Sequence, residues 1–168
     1  MKVYQLKAKQ ILPVSLEEAW DFFSSPQNLS KITPKWLDFR IISKTPDKMY
    51  SGTIIVYKVK PIFNIPITWV TEITHINEPF YFVDEQRFGP YKMWHHEHIF
   101  REIKDVGVEM QDVVTYIVPF GIVGSIINSI SLRKRLMKIF EYRREAIKRI
   151  FGTTNFEETQ EYIKFEEY

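Results

Sequence analysis

From Val3 to Leu12 apolar and polar side chains alternate, with Tyr4, Leu6 and Ala8 set against Gln5, Lys7 and Lys9. That period of two is the mark of a half-buried strand. Pro13, which has no N–H to give a ladder, ends it. Ser15-Leu16-Glu17-Glu18 is a capping box, in which the hydroxyl and the last carboxylate satisfy each other's first-turn donors. A short helix with Ala19, Phe22 and Phe23 on its apolar side is predicted there. Pro26 opens a second short helix through Leu29 and Ile32, which Thr33-Pro34 terminates. Six strand candidates follow, at Trp36–Ser43, Gly52–Lys60, Ile67–Ile76, Phe80–Gln86, Tyr91–Glu102 and Gly107–Val118. The dividers are Pro46-Asp47, Asn64-Ile65-Pro66, Asn77-Glu78-Pro79, Gly89-Pro90 and Lys104-Asp105-Val106-Gly107. Their short spacings favour antiparallel hairpins over crossover connections.

After Pro119-Phe120-Gly121 the period lengthens. Ile126, Ile130, Leu136 or Met137, Phe140, Ile147 and Phe151 recur at helical spacing, with Lys134, Lys138, Glu141, Glu145 and Lys148 opposite. A long amphipathic helix is predicted, with Gly152 as its C-cap and a basic last turn that suits the helix dipole. The order is one strand, two short helices, six strands and a long helix, an α+β domain. A curved antiparallel sheet of about seven strands is expected to wrap around the C-terminal helix, with the short helices closing one end. One layer of side chains does not fill such a space everywhere, so an internal cavity is expected. The domain spans residues 1–151, and the acidic tail 152–168 is expected to be partly mobile.

Composition narrows the chemistry. A chain of 168 residues makes one domain that buries a core without staples. Apolar and charged fractions are ordinary, whereas 15% aromatic residues point to a very aromatic core or a lined cavity. With no cysteine, disulfides, thiolate catalysis and cysteine-ligated zinc or iron–sulfur sites are excluded. No apolar run approaches the roughly 20 residues of a membrane span, and the N-terminus does not read as a signal peptide. A soluble, cytoplasmic protein is the expectation. The net charge of +2 hides eight basic residues between Ser131 and Arg149, followed by a tail with Glu157, Glu158, Glu161, Glu166 and Glu167. Blocks this close can neutralise each other, which favours a solvated basic helix face over a site for nucleic acid, with a membrane-surface or protein-interaction module through that helix as a second alternative.

The stretch Gln86 to Phe100 carries the candidate chemistry. Trp94, His96, His98 and Phe100 fall on one strand face, with Met93, His95, Glu97 and Ile99 on the other. Taking the less charged face as the inner one, neighbouring strands add Trp69, Thr71 and Ile73; Phe80, Phe82, Asp84 and Gln86; and Met110, Asp112, Val114, Tyr116 and Val118. A greasy wall with a few placed polar groups is what small-molecule sites look like. The candidate ligand-binding set is therefore Trp69, Thr71, Phe82, Asp84, Gln86, Trp94, His96, His98, Phe100, Asp112 and Tyr116. Buried carboxylates need partners, and the histidines are the obvious ones, though sequence does not pair them.

Several motifs belong together. They are Phe22-Phe23-Ser24-Ser25-Pro26-Gln27-Asn28-Leu29, Ile32-Thr33-Pro34, Ile65-Pro66 with Trp69 and Thr71, and Phe82-Val83-Asp84-Glu85-Gln86. They continue with Gly89-Pro90-Tyr91, Trp94-x-His96-x-His98-x-Phe100, Asp112-x-x-x-Tyr116-x-x-Pro119-x-Gly121 and Ile139-Phe140-x-Tyr142-Arg143. On these the chain resembles the START-like (SRPBCC, polyketide cyclase/dehydrase and lipid-transport) superfamily, and within it an uncharacterised bacterial ligand-binding branch. The resemblance covers nearly the whole chain up to Phe151. It implies a helix-grip fold and an internal site for a small hydrophobic or amphipathic molecule, and it leaves activity open.

His96 and His98, at i and i+2 on a strand, can chelate one metal with Asp84 or Asp112 as a third ligand, tie strands together as a hydrogen-bonded layer, or line a ligand cavity. The last is the preferred reading, with no metal and no cofactor. An enzymatic alternative, of cyclase or dehydratase type, uses His96 or His98 as general acid or base poised by Asp112 or Asp84, with Tyr116 donating to an enolate oxygen. No nucleophile motif or phosphate-binding glycine loop supports a hydrolase or nucleotide enzyme. The expectation is a binding protein, monomer or homodimer, without nucleic acid and without stable membrane insertion.

Overall fold

A computed structural model describes residues 2–60, 65–119, 131–154 and 161–167. Asn64, Phe120, Gly121, Ile126, Ile130, Glu157 and Glu158, used above, lie outside them. Strand β1 (Tyr4–Leu12) leads into helix α1 (Leu16–Phe23). The Ser15 hydroxyl accepts from the Glu18 N–H at 3.1 Å, the N-cap that the sequence calls for. Leu16, Ala19, Trp20 and Phe23 form the buried side of α1. The second short helix is present as a 3-10 helix over Pro26–Ile32.

The strand expected at Trp36–Ser43 shrinks to β2 (Arg40–Ile41), preceded by a 3-10 turn over Lys35–Leu37. Asp38 is the cause. It sits in the left-handed region at φ 45°, which an Asp tolerates, and ion pairs to Arg40 at 2.7 Å and Lys60 at 2.9 Å hold its carboxylate. The remaining strands match their expected stretches to within about three residues: β3 (Ile54–Val59), β4 (Ile67–Asn77), β5 (Tyr81–Phe88), β6 (Met93–Ile103) and β7 (Gly107–Ile117). Phe80 is the exception on the inner face. Its N–H closes a turn onto the Asn77 carbonyl before β5 begins, and the ring is half exposed instead of facing the core.

The long helix α2 (Arg133–Phe151) buries Leu136, Phe140, Arg143, Ala146 and Ile147, and the Gly152 N–H caps it on the Lys148 carbonyl. The tail differs from expectation. Tyr162–Glu167 form an eighth strand, β8, antiparallel to β1, with Ile163 and Phe165 packed against the core. Its carboxylates take up part of the basic charge, Glu166 pairing with Lys7 at 2.8 Å and Glu161 with Lys148 at 3.1 Å. The sheet runs β2-β3-β4-β5-β6-β7-β1-β8, antiparallel throughout and curved around α2.

Two packed regions flank α2. Under α1 lie Trp20, Phe23, Phe82, Phe100, Val108, Met110 and Ile147. Toward the start of α2 lie Tyr4, Leu6, Val114, Tyr116, Leu136 and Phe140. Gly107 lets β1 and β7 meet at one end, since a Cβ there would stand 2.0 Å from the Leu12 carbonyl oxygen. Among the described residues no helix is long and apolar enough to cross a membrane.

Candidate functional site

Between the sheet, the 3-10 helix and α2 is a cavity of about 210 Å³. Of the residues singled out by sequence, Trp69, Thr71, Phe82, Asp84, Trp94, His96 and His98 line it. Four others stand behind the wall. Phe100 is buried under α1, and Tyr116 is fully enclosed between Tyr4, Tyr91 and Trp94. Asp112 lies beneath the histidines. Gln86 turns away to clamp the β5–β6 turn, donating to the Tyr91 carbonyl at 2.7 Å and accepting from the Tyr91 N–H at 3.2 Å. Gly89 makes room for that clamp, because a Cβ there would lie 2.4 Å from Gln86 Oε1.

Strand register builds the polar floor. Asp84 of β5 sits opposite His96 of β6, and His98 of β6 sits opposite Asp112 of β7. The aligned hydrogen bonds are the diagonal ones, His98 Nε2 with Asp84 Oδ2 at 2.9 Å and His96 Nε2 with Asp112 Oδ1 at 3.0 Å. The other two ring nitrogens close the circuit as charge contacts, His96 Nδ1 to Asp84 Oδ2 at 3.3 Å and His98 Nδ1 to Asp112 Oδ1 at 3.0 Å. The latter pair is close but too far off line to count as a hydrogen bond. Each aspartate thus serves both histidines, whose rings lie 3.8 Å apart. Phe82 stacks on His98 at 4.1 Å and continues the layer into the apolar core.

The charges follow from this arrangement. Burial works to raise Asp84, but the charge of His96 and the close ring nitrogens of both histidines hold it well below the usual carboxylate range. For Asp112 burial is likewise outweighed, chiefly by Arg143 and then by the two histidines. His96 moves up from its ordinary value: burial opposes protonation, and Asp84 and Asp112 together overcome it. Tyr57 and Tyr91 are pushed up by burial, Tyr57 also by Asp84.

Two chemical uses can be weighed on this geometry. Asp84, His96 and His98 bring one donor atom each within 4.8 Å of one another, a donor set that zinc uses. The two rings are tilted at 38°, and each of their nitrogens lies beside an oxygen of Asp84 or Asp112. For general acid–base work, a ring nitrogen has to reach a substrate proton. All four here face carboxylates at 2.9–3.3 Å.

The lining also holds groups outside the sequence-derived set, three of which bear on its chemistry. Ile55, Tyr57 and Val59 alternate along β3, a legible signal in a strand whose faces were not assigned; the Tyr57 hydroxyl lies 3.1 Å from Thr71 Oγ1. Tyr91 packs on Trp94 at 4.7 Å. Arg143 lines the cavity from α2 and approaches Asp112 at 3.5 Å. It occupies the apolar stripe of the helix with Leu136, Phe140 and Ile147, and a charge in that stripe was the available clue.

No protein-family model matches the chain, and no curated protein matches it significantly. Solved structures do. Protein CV1439 from Chromobacterium violaceum superposes with a TM-score of 0.68 at 9% identity, covering 89% of this chain and 99% of that one. Ginseng (Panax ginseng) major latex-like protein 151 gives 0.65 at 11%, covering 90% and 99%. TTHA0849 from Thermus thermophilus gives 0.64 at 13%, covering 86% and 94%. The fold is the START-like helix-grip. Identities this low carry the fold alone.

Proposed function

We propose that this chain is a START-like binding protein, of the bacterial ligand-binding branch its motifs resemble, that holds a small hydrophobic or amphipathic molecule between sheet and helix. The observation that carries this reading is the cavity itself, walled by Trp69, Trp94, Tyr57, Tyr91 and Phe82 with a single polar floor of Asp84, His96 and His98. Apolar walls supply affinity through burial, and a few fixed polar groups supply orientation. Binding is favoured over turnover because the histidine nitrogens are engaged by aspartates rather than turned toward an occupant. On this reading Trp69, Thr71, Phe82, Asp84, Trp94, His96 and His98 contact the ligand, while Gln86, Phe100, Asp112 and Tyr116 hold them in place. The protein works without a cofactor, as a monomer or homodimer in the cytoplasm.

Native mass spectrometry of the purified protein tests this. A mass excess that denaturation releases, and that the cavity-filling variant Thr71→Trp lacks, is the expected result. An empty wild-type protein that also takes up no small aromatic or acyl probe sinks the reading.

A further inference from the structure

The polar groups around the cavity are unequally satisfied. Asp84 and Asp112 are each served by two histidines. Arg143 is served far less well, its buried Nε having no partner. Its side chain is nine-tenths buried, yet among the described residues it makes no hydrogen bond, and its one ion contact is the 3.5 Å approach to Asp112. A guanidinium carries five N–H donors in a fixed fork and no acceptor, and burying it with those donors unmatched is costly. Trp69 Nε1, on the cavity-lining side chain across from the helix, is likewise buried without a partner, and it too can only donate. Both unmatched groups are donors, and the cation among them asks for a negatively charged acceptor from an occupant.

Size adds a second constraint. About 210 Å³ lies below the roughly 300 Å³ at which drug-sized ligand clefts usually begin. A two-chain lipid needs far more room than a single ring or one acyl chain.

We infer that the occupant is a small monocarboxylate, a single-chain or single-ring amphiphile whose carboxylate takes the Arg143 fork while its apolar body lies against Trp69, Phe82 and the 3-10 helix residues Leu29 and Ile32. This rests on the binding reading above and names the ligand class within it. Arg143 then acts as the selectivity group, since the Asp84, His96 and His98 floor is engaged within itself and Arg and carboxylate match in planar, two-pronged geometry.

The test is titration of purified wild-type protein with decanoate, 1-decanol and decylamine, read by calorimetry and by the fluorescence of the wall tryptophans. Decanoate should bind at least tenfold more tightly than decanol, the factor that one charge-assisted hydrogen bond supplies, and decylamine should bind least. Arg143→Met should abolish the preference, decanoate then binding no more tightly than decanol, and Arg143→Lys should keep part of it. Equal binding of decanoate and decanol by the wild type overturns the assignment and leaves the binding reading standing. So does a preference that survives in Arg143→Met. Binding of none of the three probes overturns both. The wild-type comparison needs no variant, so poor folding of Arg143→Met does not remove the test.

Discussion

Under α1 the inner face of the sheet is packed solid with rings: Trp20 stands edge-on to Phe82 and Phe100 at 6.0 and 6.1 Å, and Phe23 tilts onto Phe100 at 5.4 Å. Toward β3 and β4 the same face carries as many rings, Tyr57, Trp69, Tyr91 and Trp94, but they pack on one another around open space. Both regions are aromatic, and only one has α1 pressed into it. Aromatic content alone therefore does not distinguish a core from a site. What covers the rings does. The filled region supplies the stability that lets the hollow one remain open, because the lining of a void forfeits contacts on one side.

The comparison breaks most directly by truncation. Phe100→Ala in the filled region removes a ring that is 1% exposed and should cost about 3–5 kcal/mol, read from the urea midpoint at constant m. Ile55→Ala on the cavity wall should cost about 2 kcal/mol or less, at the bottom of the usual range, because its outer atoms already lack partners. Equal costs per atom removed would mean that the two regions are equally packed, and the contrast would fail.

How much of this was legible depends on which interactions set each feature. The antiparallel order, the Ser15 cap and the alternation on β4, β6 and β7 are local, and sequence carries local signals well. Phe80 was misplaced because a turn hydrogen bond to Asn77 overrides its place in the alternation. β8 was missed for a different reason. Tyr162-Ile163-Lys164-Phe165 alternates, but the flanking carboxylates give it the charge pattern of a solvated tail, and a strand needs a free edge that only the fold reveals. The Asp–His circuit was expected in kind but not in pairing, since its hydrogen bonds run diagonally between strands whose register no local signal fixes. Arg143 was visible as a charge in an apolar stripe, and its place opposite Asp112 follows only from how α2 lies on the sheet.

The polar floor joins the two regions, and its titration sharpens the contrast. Asp84 and Asp112 are depressed in the folded protein, so their contribution is present above the ordinary value of 3.8 and is lost as pH falls through their folded values. His96 is raised, so its contribution is full below its ordinary 6.5 and is lost as pH climbs through its folded value. Melting temperature should therefore form a plateau between about pH 4 and 6.5 and decline above it. Asp112→Ala removes a buried partner of both His96 and Arg143 and should cost about 3 kcal/mol at pH 6. The same variant should flatten the alkaline decline, because His96 then keeps only Asp84. An alkaline decline as steep as in the wild type would show that His96 is not the group responsible.

The smallest effect is expected at the edge farthest from the cavity. Glu161 precedes β8 with its side chain only 7% exposed, pairing with Lys148 of α2 at 3.1 Å and accepting from the Ile11 N–H at 3.4 Å. One residue thereby ties the tail, the helix and β1 together. Glu161→Gln keeps the shape and an acceptor while removing the charge, so it should cost only about 1 kcal/mol, the usual worth of one hydrogen bond in this setting. Its more telling readout is local. Amide exchange should quicken across Tyr162–Glu167 and at the β1 residues paired to them, with β5 and β6 unchanged, since a sheet edge opens at lower free energy than its centre. Faster exchange in β6 as well would mean that the tail supports the cavity floor through β1 and β7, and the hollow region would then depend on an element whose charge pattern reads like that of a solvated tail.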